Sequence, residues 1–109
     1  MNRMKTILST LLLLGSTASG VIAADAKAGQ TVFDKSCKSC HAADGSGNPA
    51  AAKMMKVDLR ALGSKEVQAS SDGDLHKVII DSKGKMKPVA AVTGAAVDNV
   101  VAYMRTLKK

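Results

Sequence analysis

Cys37-Lys38-Ser39-Cys40-His41 is the stretch that decides how this chain is read. Two thiols three positions apart, followed at once by an imidazole, form a C-x-x-C-H pattern, the pattern of covalent c-type haem attachment. Each thiol can add to one vinyl group on a porphyrin edge. The adjoining histidine then comes under the iron, where a proximal His is a common axial ligand. Three other readings of the same residues are weaker. A thioredoxin-like dithiol expects a βαβ context, and no alternating β-rich run flanks Cys37. A structural zinc site needs four N or S ligands, and the chain offers only Cys37, Cys40, His41 and a distant His76. A disulfide across so short a loop constrains little of the unfolded chain.

Working outward on the N-terminal side, Ala26 to Ser36 suits a helix that delivers the motif, with Gly29 and Phe33 four apart on one face. A glycine inside a helix costs about 1 kcal/mol against alanine and marks close approach of another backbone. On the C-terminal side, Ala42 to Pro49 carries Asp-Gly, Gly and Asn-Pro steps and reads as a loop. A ligating imidazole normally donates its second N–H to an acceptor, and the Pro49 carbonyl is the candidate here. Ala50 to Met55 reads as a short helix, with Met54, Met55 and Leu59 as core or haem-contact residues. Arg60 is open between a propionate contact and plain exposure.

Ser71 is a candidate N-cap, with Asp74 in a capping-box-like position and Leu75, Val78 and Ile79 on one buried face of a helix that Gly84 ends. His76 falls one step off that face and reads as a solvated helix residue. Lys83-Gly84-Lys85-Met86-Lys87-Pro88 then sets a methionine in a loop bounded by Gly and Pro. Methionine is usually a core filler. Its place in a constrained loop just past a helix instead makes Met86 the expected sixth ligand, with Met54 and Met55 as alternatives. Thr93 to Leu107 reads as the closing helix, capped by Thr93, with Val97, Val100, Val101 and Met104 on one face and Tyr103 at its edge. A crossing of first and last helices beside Gly29 follows, with Phe33 and Tyr103 near it.

Composition bounds the rest. Met1 to Ala24 has the parts of a secretory signal: Arg3 and Lys5, the apolar run Ile7 to Leu14, and a small-residue cleavage region at Val21 to Ala24. Its apolar run is far short of the roughly 20 residues that span a bilayer. Cleavage after Ala24 or Ala23 leaves a single domain, residues 25–109, with no stable membrane insertion. Attachment of haem to a C-x-x-C pair takes place outside the cytoplasm, so the periplasm is the expected compartment. The full chain has 16 Lys+Arg against 9 Asp+Glu; removing Arg3 and Lys5 leaves 14 against 9. The chain stays basic, which suits acidic partners. Nucleic acid is disfavoured, because there are no arginine clusters and the two aromatics are isolated. A mature chain this short has a marginal core by itself, and a buried haem offers its helices a shared surface.

With these residues in view, the sequence resembles the small monohaem class I cytochromes c of bacteria across nearly all of residues 25–109. The resemblance rests on Cys37-x-x-Cys40-His41, the Gly29-x-x-x-Phe33 approach, Met86 in its Gly-Lys-Met loop, and Val100-x-x-Tyr103. It implies an all-α cytochrome c fold around one covalently attached haem c, with crossing terminal helices and electron shuttling in place of catalysis. Ala42 after His41, Lys87 between Met86 and Pro88, and the absence of tryptophan depart from the family pattern. The expected site is Cys37 and Cys40 as tethers with His41 and Met86 as axial ligands. The expected protein is a monomeric periplasmic carrier whose exposed Lys38, Lys83, Lys85 and Lys87 steer acidic redox partners or serve solubility alone. The alternatives are a haem sensor with a labile sixth site and an electron-transfer subunit of a larger enzyme.

Overall fold

The computed structural model describes residues 24–109, so the expected signal segment lies outside the described residues apart from Ala24. Six helices follow one another: α1 (Ala26–Ser36), α2 (Lys38–His41), α3 (Pro49–Met55), α4 (Lys65–Ala69), α5 (Asp72–Asp81) and α6 (Ala95–Thr106). No strand occurs among the described residues, only a single bridge between Lys83 and Met86. The fold is all-α, as the sequence indicates.

Helices of this length are marginal alone in water, so their stability comes from the faces they bury. The most extensive contact joins α1 and α6. Asp25 opens α1 by accepting from the N–H groups of Lys27 and Ala28, and its own backbone N–H donates to Asn99 Oδ1 of α6 at 2.8 Å. Gly29 sits at the crossing. A Cβ built there would lie 1.8 Å from the Asn99 carbonyl oxygen, so the two backbones meet where only hydrogen fits. One turn further on, the Phe33 and Tyr103 rings pack at 5.1 Å, tilted by 59°, the geometry that aligns one ring's positive edge with the other's negative face. Val97, Val100, Val101 and Met104 are buried with them.

Helix α5 adds Leu75 and Ile79 to the same core, each side chain contributing about 1.5–3 kcal/mol on burial. Ser71 caps it through Asp74 N–H, as expected. Helix α4 is not apparent in the sequence pattern, because five residues give no full period. Its start is nonetheless marked by the Ser64 hydroxyl, which accepts from Val67 N–H. Two α6-facing staples then hold the α4–α5 segment. Gln68 donates to the carbonyls of Leu62 and Met104, and Arg105 donates to Asp72 and to the carbonyls of Gln68 and Ser70.

Two helix ends differ from expectation. Helix α5 stops at Asp81, with Ser82 and not Gly84 as its cap, because Gly84 is needed one step later in a turn. Helix α6 starts at Ala95 with Gly94 before it, so Thr93 makes no side-chain cap. Of the two readings of Met54, Met55 and Leu59, core or haem contact, the core one is corrected. Met54 is 81% exposed, and Met55 and Leu59 are half-buried outside the core. Among the described residues the main helix–helix contact of α3 is with α2.

Candidate functional site

Helix α1 ends at Ser36, and Cys37 is both its C-cap and the N-cap of α2. The Cys40 and His41 amides both donate to the Cys37 carbonyl, at 3.3 and 3.0 Å. One helical turn thus carries both thiols and the imidazole. Cys37 is buried in the α1–α6 core, whereas Cys40 is half-buried; neither is in a disulfide. Burial, and then the nearby Cys40, push the Cys37 thiol pKa up.

His41 is half-buried, and that burial holds its pKa below the usual histidine range, so the ring is neutral and a lone pair is available to a metal. Its Nδ1 is buried with no hydrogen-bond partner. The expected Pro49 carbonyl does not fill that role. Pro49 is the first residue of α3, after an Asn48 N-cap, where its carbonyl is turned into the helix. The chain after His41 is fixed from two sides. Ala42 adopts φ 65°, ψ 163°, a region that glycine occupies freely and that strains alanine by about 1–3 kcal/mol. Tyr103 Oη donates to the Ala43 carbonyl at 3.3 Å. The sequence offers alanine where a glycine would relax this turn.

Met86 is on a separate segment. Lys83 and Met86 exchange both backbone hydrogen bonds, at 3.3 and 3.1 Å, around Gly84 at φ 59°. Lys85 is not among the residues with positive φ, so only the first central position is left-handed, as in a type II′ turn with its preferred glycine. Met86 is half-buried and packs on the core cluster, while the residues around it in the turn are exposed. Met54 and Met55 do not join that cluster. Ser82, at the mouth of this turn, has φ 82°, ψ 163° and carries the same kind of strain as Ala42.

The other candidates separate from the site. His76 pairs with Asp98 of α6 at 2.5 Å, tying α5 to α6 through its side chain, so it is not simply a solvated residue. Among the described residues no group of three or more His, Cys, Asp or Glu could hold a metal, which removes the zinc reading. Arg60 is exposed. Two participants escape sequence reasoning. Asn48 caps α3 through Ala50 and Ala51 and also donates from Nδ2 to the Ser39 carbonyl, while its amide donates to the Cys40 carbonyl. Asn-Pro at 48–49 is the signal for such a capped start. Lys85 donates from Nζ to the Met55 carbonyl at 2.8 Å, for which the sequence carries no signal.

An all-α domain whose first helix ends in a C-x-x-C-H turn, with two cysteines outside any disulfide and a neutral, unpaired imidazole, has the donor set of a c-type haem protein. The comparisons agree. The family model for cytochrome c matches residues 26–108. Among solved structures the chain is similar to the KustC0563 c-type cytochrome, with a TM-score of 0.63 and 25% identity over 74% of this chain and 98% of that one. No curated protein matches the sequence. The chain belongs to the cytochrome c family, as a small class I member. It is a haem-based electron-transfer protein with a covalently attached c-type haem, and its partners are redox proteins. No helix among the described residues is long and apolar enough to cross a membrane.

Proposed function

We propose that this protein is a periplasmic one-electron carrier, with Cys37 and Cys40 as haem thioethers and His41 and Met86 as the two axial ligands. The observation that supports it most is the α2 turn, which brings two cysteines outside any disulfide and an imidazole together within five residues. The haem supplies the one-electron iron couple. The chain's residues do the rest. Cys37 and Cys40 fix the group to the end of α1, so its position follows that of the α1–α6 crossing. His41, kept neutral by burial, offers a nitrogen without first losing a proton. The Lys83–Met86 turn presents a soft thioether, which favours the reduced metal and raises the potential. Met86 is preferred over Met54 and Met55 because it alone of the three combines a fixed turn with packing on the core. If His41 and Met86 both held the iron, no place on it would remain for a substrate, which argues for transfer without catalysis.

The mature chain begins at Asp25 on this reading. The intact mass of the exported holoprotein tests attachment and processing together. It equals residues 25–109 plus one haem and keeps that value after acid denaturation, whereas Cys37→Ala with Cys40→Ala releases all haem. A mass without haem, or one that retains residues 1–24, contradicts it.

Lys38, Lys83, Lys85 and Lys87 are exposed and belong to the two segments that carry the proposed ligands. They draw an acidic partner to that side of a monomer. Raising salt from low concentration to about 1 M shortens the screening length to about 3 Å and slows the second-order reaction about tenfold or more. A rate that does not change with salt leaves these lysines to solubility alone.

A further inference from the structure

We propose that Lys85 is a positioning residue for Met86, acting through α3 as a strut between the two segments that carry the axial ligands; the inference rests on the reading of Met86 as a ligand. The Met86 turn has little packing of its own. Ser82 to Lys85, Lys87 and Pro88 are all exposed, and its backbone enters through a strained Ser82. Two backbone hydrogen bonds hold the turn's internal shape, and the Val89 amide ties its exit to the Ile79 carbonyl at 3.0 Å. None of these three bonds fixes the turn relative to the C-x-x-C-H segment.

Lys85 does. Its Nζ donates to the carbonyl of Met55, the last residue of α3, at 2.8 Å. The last carbonyls of a helix have no partner within it and carry the negative end of the helix dipole, so an ammonium there is favoured both as donor and as charge. Among the described residues, neither Lys83 nor Lys87 makes a side-chain hydrogen bond. At its other end α3 is joined to the thiol-bearing turn by Asn48, whose amide donates to the Cys40 carbonyl at 2.8 Å and whose Nδ2 donates to the Ser39 carbonyl at 3.1 Å. A continuous series of hydrogen bonds thus runs from Cys40, beside His41, along α3 to Lys85, beside Met86. Removing the lysine leaves the turn held to the rest of the fold by the Val89–Ile79 hydrogen bond and by the packing of Met86 and Val89 on the core, with no tie to the C-x-x-C-H segment through α3. Arginine, which also reaches and donates to a carbonyl, preserves the link.

The test uses the holoprotein and five variants: Lys85→Ala, Lys85→Arg, Lys83→Ala, Lys87→Ala and Met86→Ala. The readouts are the far-red sulfur–iron band of the oxidised form and CO binding by the reduced form. Lys85→Ala is expected to weaken the band and raise apparent CO affinity about tenfold, the effect of losing one hydrogen bond that holds the ligated state. Lys85→Arg keeps wild-type values, and Lys83→Ala and Lys87→Ala, which remove the same charge, change neither readout. If Lys85→Ala matches the Lys83 and Lys87 variants while Met86→Ala loses the band, the positioning role is overturned and the ligand assignment stands. A band that survives Met86→Ala overturns both.

Discussion

With Met86 as the proposed ligand, Met86→Ala is expected to abolish the far-red sulfur–iron band, let the reduced protein bind CO, and lower the reduction potential by hundreds of millivolts, a substantial part of the roughly 0.8 V over which axial ligands set haem potentials. The direction follows from the thioether. A soft, uncharged sulfur donor stabilises the reduced metal more than the oxidised one, and burial adds to this by disfavouring the extra positive charge. Alanine supplies no donor, and the Lys83–Met86 turn keeps its backbone bridge because neither bridging hydrogen bond uses the side chain. The substitution leaves that bridge in place while removing the sulfur donor and the packing of Met86 on the core. Absorption in the far red, a CO titration and a redox titration check it. An unchanged band would assign the sulfur to Met54 or Met55, despite the exposure of Met54 and the absence of both from the core.

Gly29→Ala is expected to be the most destabilising single-methyl change in the chain. The added carbon would stand 1.8 Å from the Asn99 carbonyl oxygen, 2.4 Å from its carbon and 2.9 Å from the Val100 nitrogen. All three are backbone atoms of α6, so no side-chain rotation relieves the clash; the helices must move apart. Doing so opens the Phe33–Tyr103 contact and the Asp25–Asn99 hydrogen bond at either side of it. Overpacking that cannot relax costs about 3 kcal/mol or more. In a domain of this size that lowers the melting temperature by more than about 10 °C. Thermal unfolding of the holoprotein, followed by circular dichroism, measures it. A melting temperature close to wild type would mean that the terminal helices do not meet at Gly29.

Both effects were foreseeable from sequence to different degrees, and the reason is physical. Gly29, Phe33 and the Val97–Met104 stripe are legible because two helices long enough to show a period bury one face each. The C-x-x-C-H turn is legible because its chemistry needs those residue types in that order. Helix α4 is hidden because five residues give no period, and the apolar pair Met54-Met55 of α3 does not tell core from haem contact, because it carries no information about what lies opposite it. Gly84 looked like a helix terminator. It serves instead as the left-handed residue of the next turn, two functions that the same residue signals equally well. Links through backbone carbonyls, such as Lys85 to Met55 and Asn48 to Ser39, leave no pattern in sequence, since every residue offers a carbonyl. The unfilled Nδ1 of His41 shows the same limit: the need for an acceptor was clear, but Pro49 lay at the start of a helix.

The measurement that bears most directly on electron carriage by a six-coordinate haem is a spectroelectrochemical titration of the wild-type holoprotein, followed through the visible and far-red regions and ended by adding CO to the reduced form. The account predicts a single one-electron transition, a far-red sulfur–iron band that is present when oxidised and lost on reduction, and CO uptake far weaker than that of Met86→Ala. An oxidised protein without that band, whose reduced form takes up CO readily, would contradict it and make a ligand-sensing haem the function of this chain.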